Sequence, residues 1–259
     1  VKQVPDTTEI KIDPVTNTLI RAGVPSIVNP YDAYALETAL RLKERYGAEV
    51  LVISMGPEQA KEALKECLAV GADRAWLISD RAFGGSDTLA TSFVLSRAVA
   101  WLSKELGDVG LILCGKQAID GDTAQVGPEM AEHLDLPQIT YASDAELSED
   151  GVLVKRENDD GYDMIKTKLP AVVTVTKISG ETRLPSIKGK MRASRAEIPV
   201  LTAQTLEIDV EKCGLKGSPT KVKKTFTPVR TKTGIKVEGK TAAEAAAGMA
   251  GFLDEKKLV

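Results

Sequence analysis

Residues 110–134 read GLILCGKQAIDGDTAQVGPEMAEHL. The apolar run 110–114 has the length of a buried strand, and 126–134 reads as a helix. Between them lies a loop with two glycines, Gly115 and Gly121, and three capping-type residues, Asp120, Asp122 and Thr123. A buried strand that passes through such a loop into a helix is a unit of an open parallel sheet. Ligands of such sheets sit outside the carboxyl ends of the strands.

The neighbouring sequence extends the pattern. Segments 49–54 (EVLVIS) and 75–79 (AWLIS) are further buried strands. Residues 33–46 put Leu36, Ala39 and Leu40 on one helical face, with Gly47 as the stop. Residues 58–70 align Ala60, Leu64 and Leu68 between Pro57 and Gly71, and 88–106 give a third helix. After about residue 136 the pattern changes. Segments 138–142, 151–156 and 163–168 read as a meander, and 171–176 (AVVTVT) as a buried strand returning to the main sheet. The fold class expected is α/β: a doubly wound, mostly parallel sheet with a small antiparallel meander. Residues 181–200 read as a basic loop. Residues 204–229 read as an extended arm with little core, and 241–258 as a terminal Ala-rich helix. The expected division is therefore 1–200 for the α/β domain and 201–259 for an arm and helix that lie on another subunit.

Composition removes several function classes. The 259 residues carry 34 basic and 37 acidic side chains, a net charge of −3, where a general nucleic-acid binder is basic. With aromatics at 4%, stacking platforms for single strands are excluded. No apolar run reaches the roughly 18–20 residues that span a bilayer. The single histidine, His133, excludes multi-histidine metal sites, and the three cysteines are too scattered for a disulfide framework. Neither a metal site nor a nucleophile–base pair is expected, and a reducing, cytoplasmic setting fits. Residues 1–12 (VKQVPDTTEIKI) lack a cationic stretch followed by an apolar one. Val1 reads as the inside of a first strand.

The residues that could carry chemistry lie in four turns. In 114–128, backbone N–H groups and a following helix N-terminus suit phosphate, while Gln117, Thr123 and Gln125 offer neutral hydrogen bonds. Asp120 and Asp122 repel phosphate and suit ribose hydroxyls, an adenine amino group or caps. The alternative is a plain strand-to-helix turn. Residues 83–92 (FGGSDTLATS) place Gly84-Gly85-Ser86 ahead of a helix capped by Asp87 or Thr88, which is either a phosphate cradle or an ordinary loop. Asn29 and Asp32 in NPYDA (29–33) suit a base or ribose, or a turn and cap. Met55, just past strand 49–54, could pack on a flat ring or fill a gap. All four converge on one crevice in this fold. Cys114 reads as core and His133 as a cation at a helix end.

At this point the sequence resembles a known family. The stretches VKQVPDT (1–7), VNPYDAYALETALRLKE (28–44), MGPEQAKEALKECLAVGADRAWLISD (55–80), GGSDTLATS (84–92), LCGKQAIDGDTAQVGPEMAEHL (113–134) and LPSIKGKMRASR (184–195) resemble the β (small) subunit of electron transfer flavoproteins. The likeness runs from residue 1 to about 228. It implies an adenine-nucleotide alpha hydrolase-like fold and a heterodimer with an α subunit. In one branch the β chain holds structural AMP and shuttles electrons from acyl-CoA dehydrogenases toward a quinone reductase. In the flavin-bifurcating branch it binds FAD, which takes hydride from NADH. Electrons then pass to ferredoxin or flavodoxin and, through the α-chain FAD, to an acyl-CoA dehydrogenase. The stretches VKQVPDT, NPYD and GGSDTLATS resemble the bifurcating branch. The resemblance implies adenosine contacts at Asn29, Asp32 and Met55. It implies a nucleotide loop at Gly115, Gln117, Ala118, Asp120, Gly121, Asp122, Thr123, Ala124, Gln125 and Val126. Further FAD contacts fall at Asp87, Thr88 and Thr91. A partner-docking loop is implied at Leu184, Pro185, Ile187, Lys188 and Lys190. No nucleic-acid binding or membrane insertion is implied.

Overall fold

The computed structural model describes residues 1–6, 25–223 and 234–259. It forms two compact units, Val1–Lys223 and Lys224–Val259.

In the first unit, β1 (Gln3–Pro5) pairs antiparallel with β2 (Ser26–Val28). Strands and helices then alternate: α1 (Pro30–Tyr46), β3 (Leu51–Met55), α2 (Lys61–Val70), β4 (Arg74–Ile78), α3 (Thr88–Leu106), β5 (Leu111–Gly115) and α4 (Val126–Leu134). The meander is β6 (Gln138–Ser148), β7 (Gly151–Asn158) and β8 (Gly161–Thr167), and β9 (Ala171–Val175) inserts between β5 and β6. The unit closes with α5 (Ile187–Ser194), β10 (Val200–Leu201) and α6 (Gly214–Gly217). One sheet has the parallel order β10-β4-β3. The other has the order β5-β9-β6-β7-β8, parallel from β5 to β6 and antiparallel beyond.

The burial pattern explains the layers. Successive strand side chains point to opposite faces. In β4, Ala75 and Leu77 join one core with Leu36, Leu40 and Leu64, while Trp76 and Ile78 join another with Val94 and Leu102. Both faces of β4 are thus covered by helices, and its near-continuous apolar run needs no polar alternation. All five residues of β9 are buried, and β-branched Val172, Val173, Thr174 and Val175 suit that central position. A third core lies between the meander and α1, around Ile139, Val152, Val154 and Val173. An apolar cleft of about 500 Å³ runs between β3 and β5, lined by Val1, Leu36, Ile53, Leu102, Leu111 and Leu113 among others. Its aliphatic walls suit apolar surface, not a polar ligand. Among the described residues no helix is long and apolar enough to cross a membrane.

Most expected elements lie where the pattern puts them, with ends shifted by a residue or a few. Three differences matter. The short strand β2 has too few residues to carry a periodic signal. The stretch 181–200, expected as loop, contains α5. The Ser186 hydroxyl caps it by accepting from Gly189 N–H, and a Cβ at Gly189 would fall 2.1 Å from the Ala69 carbonyl oxygen, so glycine permits close packing on α2. The arm expected from residue 201 begins instead inside the fold. Leu201, Ala203, Leu206, Ile208 and Cys213 are buried in the second core, and the compact unit continues to Lys223. These five are spent inward while Val210, Leu215 and Val222 stay exposed, a division that a count of apolar content hides. Residues 224–229 of that arm, like residues 7–12, lie outside the described residues.

In the second unit, α7 (Ala242–Glu255) is capped by the Thr241 hydroxyl, which accepts from Glu244 N–H, while the Glu244 carboxylate accepts from Lys240 N–H. No residue of α7 is buried within the described residues.

The placement of 201–213 is testable. Leu206→Ala removes a side chain that is 4% exposed, and large-to-small core changes of this kind cost about 2–5 kcal/mol. Denaturant unfolding should show a clearly lower midpoint with an unchanged slope. An unchanged midpoint would mean that this segment is a free arm.

Candidate functional site

The crevice is built from the start of α1 upward. Pro30 occupies the first turn of α1, where its missing N–H costs nothing, and Asn29 precedes it. The Asn29 side chain is 1% exposed, and its amide is spent on the loop after β5. Nδ2 donates to the Gln117 carbonyl at 2.8 Å, and Oδ1 accepts from Ile119 N–H at 3.1 Å. Asp32, 6% exposed, accepts from Gly115 N–H and from Lys2 N–H, each at 2.8 Å. It was expected as a cap, but it lies inside the first turn of α1, and its carboxylate ties β5 to the chain start. Gly115 is required there: a Cβ would meet the Tyr31–Asp32 backbone at 2.6–2.7 Å. Lys2 Nζ then pairs with Asp120 at 2.6 Å. Gln3 reaches the Gln59 carbonyl at 3.3 Å, which joins the turn after Met55 to the same assembly.

The loop 115–125 is folded on itself. The N–H groups of Gly121 and Asp122 donate to the Ala118 carbonyl, and Gln117 Nε2 donates to Asp122 Oδ1 at 2.6 Å. Asp122 (φ 54°) and Ala124 (φ 53°) are both left-handed. Non-glycine residues in that region mark a conformation imposed by surroundings and concentrate at functional sites. Gly121, Asp122, Thr123 and Gln125 are exposed, and a Cβ on Gly121 would meet nothing. This rim is open.

The second predicted turn meets this loop. Asp87 caps α3 through Ala90 N–H at 3.1 Å. The Thr88 hydroxyl lies within donating reach of Gln125 Oε1 (3.0 Å) and Glu129 Oε1 (3.2 Å). Two helix N-termini, those of α3 and α4, therefore converge, and each carries a partial positive charge. Glu129 Oε2 is buried there without a partner. A buried acceptor left unpaired is costly, so a hydroxyl or amino donor fits that point. Thr91 lies in the same first turn of α3, its N–H donating to the Asp87 carbonyl. Met55, at the end of β3, is half-buried against the second core.

The Gly84-Gly85-Ser86 turn is less open than expected. The segment 213–220 covers it. Gly214 N–H donates to Ser86 Oγ, Asp87 N–H donates to Ser218 Oγ, and Asp87 Oδ2 accepts from Thr220 N–H and Oγ1. Gly85 is left-handed (φ 74°), and a Cβ there would press on Leu215 at 2.7 Å. Burial opposes charge on Asp87, but these donors outweigh it and hold its carboxyl below the usual range. Among the described residues, the first-turn donors of α3 left outside the cap are the N–H groups of Thr88 and Leu89. Cys114 is half-buried in β5, and desolvation of its thiol pushes it up to about 12. His133 packs edge-on to Phe93 at 5.7 Å.

The expected docking loop projects on its own. Leu184 is 89% and Ile187 82% exposed, with Lys188 and Lys190 exposed beside them and Pro185 half-buried. Arg183 and Arg192, within the stretch expected as a basic loop, are tied to the body of the protein. Arg183 forks onto Glu37 and Glu44 of α1, and Arg192 Nη2 donates to the Leu68 and Ala72 carbonyls at the end of α2. Sequence reasoning missed Lys2–Asp120, Glu129, Ser218 and the Glu37/Glu44 pair. Only the last had a local signal: seven residues apart, both fall on one face of α1.

The electron transfer flavoprotein domain family matches residues 16–206. Electron transfer flavoprotein subunit beta of Megasphaera elsdenii is 53% identical over 238 residues, which cover 91% of this chain and 88% of that protein. Caffeyl-CoA reductase-Etf complex subunit CarD of Acetobacterium woodii is 46% identical over 259 residues, 100% of this chain and 97% of that protein. Protein FixA of Bradyrhizobium diazoefficiens is 44% identical over 263 residues, covering 100% and 91%. The chain belongs to the electron transfer flavoprotein family, as a β-subunit-type member, and its role is in flavin-linked electron transfer.

The brace behind the loop gives a direct test. Asn29→Ala leaves the Gln117 carbonyl and Ile119 N–H without their partner, at about 1–3 kcal/mol for each group left buried. The variant should melt lower than the parent. An unchanged melting temperature would show that the brace is dispensable.

Proposed function

We propose that this chain is the β half of an αβ electron transfer flavoprotein of the flavin-bifurcating kind, with FAD in the crevice between 115–126 and the start of α3. The observation that carries the reading is the Thr88–Gln125 contact at 3.0 Å. It sets a ribose- and base-sized rim, the 117–125 loop, directly beside a second helix N-terminus. A dinucleotide needs both places, where a mononucleotide needs one. The residues fit the group. Glu129 Oε2 awaits a hydroxyl or amino donor, and the Thr88 and Leu89 N–H groups at the start of a 19-residue helix suit a pyrophosphate. The roles of 29–32 are then indirect: Asn29 and Asp32 shape the loop from behind. Bound there, FAD supplies the hydride and one-electron chemistry, and the protein supplies binding and orientation.

In this reading NADH is the donor. Electrons divide between ferredoxin or flavodoxin and, through the α chain, an acyl-CoA dehydrogenase. The name of one similar protein, a caffeyl-CoA reductase-Etf complex subunit, supports a role in a complex with an oxidoreductase of CoA esters. Leu184 and Ile187, with Lys188 and Lys190, form the docking tip for that dehydrogenase. An apolar anchor with a charged surround is the usual division of labour at an interface. The α chain covers α7, none of whose residues is buried in its own unit. The setting is cytoplasmic.

A second reading rests on the covered Gly84-Gly85-Ser86 turn. With the Ser86 and Asp87 groups committed to 213–220, the crevice holds only AMP, as in a shuttle to a quinone reductase. The visible spectrum and adenine content of the purified heterodimer separate the two. Two flavins per pair are expected, whereas one flavin plus AMP establishes the shuttle. Gln125→Ala and Asp122→Ala should each lower nucleotide affinity about ten- to a hundredfold, from one lost bond of about 1–3 kcal/mol. Unchanged nucleotide content in both would remove the 115–126 loop from the site.

A further inference from the structure

The projecting tip at 184–191 is held by both shoulders. On the first, Arg183 makes five hydrogen bonds to two carboxylates of α1. Nε and Nη2 donate to Glu37 at 2.9 and 3.1 Å, Nη1 and Nη2 donate to Glu44 at 2.5 and 3.2 Å, and the Arg183 backbone N–H reaches Glu37 Oε2 at 3.2 Å. Arg41 completes the cluster. Its Nε donates to Glu37 Oε1 at 3.0 Å and its Nη1 to the Ser179 carbonyl at 3.2 Å, which pins the chain four residues upstream of Arg183. The Glu37 side chain is 7% exposed, so the Arg183–Glu37 half of the cluster is shielded, while Glu44 stays exposed. On the second shoulder, Ser186 caps α5, Gly189 packs against the Ala69 carbonyl, and Arg192 holds the end of α2. Leu184, the most exposed large apolar residue among the described residues, follows Arg183 directly.

We propose that the Glu37–Arg183–Glu44 clamp preorganises the Leu184–Ile187 tip for docking, and that Arg183 is a positioning residue for partner recognition instead of a member of the charged rim. The inference rests on the reading of this tip as the dehydrogenase-docking surface. An unbraced four-residue tip with two apolar side chains would fold back onto the surface or sample many states. Ordering it on binding would then subtract from affinity. A planar guanidinium locked bidentately by two carboxylates from one helix fixes the chain direction at the residue before the anchor. Lysine cannot reproduce it: an ammonium keeps the charge and loses the fork.

The test uses the heterodimer with an acyl-CoA dehydrogenase that accepts electrons from the parent complex. Arg183→Lys should raise the KM for the dehydrogenase about tenfold while kcat stays within about twofold, because the docked geometry is unchanged once formed. NADH oxidation by an artificial acceptor should stay at the parent rate. Amide hydrogen exchange across 181–188 should quicken in the same variant, and Glu37→Gln should move both readouts in the same direction. Leu184→Ala serves as the control for the docking reading. If Leu184→Ala raises KM and Arg183→Lys changes neither KM nor exchange, the clamp is overturned and the docking tip stands. If Leu184→Ala leaves KM at the parent value, the docking reading fails and takes the clamp's role with it.

Discussion

A buried amide and a buried carboxylate on the first turn of α1 set the shape of the crevice. Asn29 and Asp32 together take up a carbonyl and two N–H groups of the chain leaving β5, and Asp32 also holds Lys2 N–H. Each is nearly inaccessible to water, so each bond formed is matched by a desolvation penalty if it is lost. The consequence is directional. The loop carries left-handed residues at 122 and 124 and exposes its outer rim because its inner rim has no freedom. The parallel sheet brings β5 and α1 together, and these two side chains convert that proximity into a defined surface.

The second organising feature is closure over α3. Segment 213–220 lies on the Gly84–Asp87 turn, with Gly85 left-handed beneath Leu215. This turn looks on paper like a phosphate cradle. In the fold its glycine serves packing, and the anion-attracting groups move one residue along to Thr88 and Leu89. The same chain segment thus joins the core of the first unit and trims the mouth of the crevice.

How much of this is legible in the sequence depends on range. The strands 51–55, 74–78, 111–115 and 171–175 announce themselves because the apolar run is continuous, and 75–78 and 171–175 are buried on both faces. Helices with glycine stops at 47, 71 and 107 do so through local chemistry. The convergence of 84–92 with 115–126 follows from sheet topology alone. What the sequence hides is partner choice across long separations. Nothing near Asn29 says that its amide faces residues 117 and 119. Nothing near Arg183 says that it turns onto α1, about 140 residues earlier, instead of to solvent. The few apolar residues of 201–213 read as an arm because burial depends on where each lands, not on how many there are.

The docking segment carries its own arithmetic. Arg183, Ser186, Gly189 and Arg192, every third residue, hold the segment in place, Ser186 and Arg192 while staying exposed: one clamps α1, one caps α5, one lets two backbones touch and one closes α2. The residues between them, Leu184, Ile187, Lys188 and Lys190, touch solvent. Structure and recognition are therefore written in alternate letters of the same short word. The outward letters can be rewritten for a different partner without disturbing the fold, while a change at any inward letter alters the presentation of all the others. A surface organised this way separates what a protein is from whom it meets, within ten residues of chain.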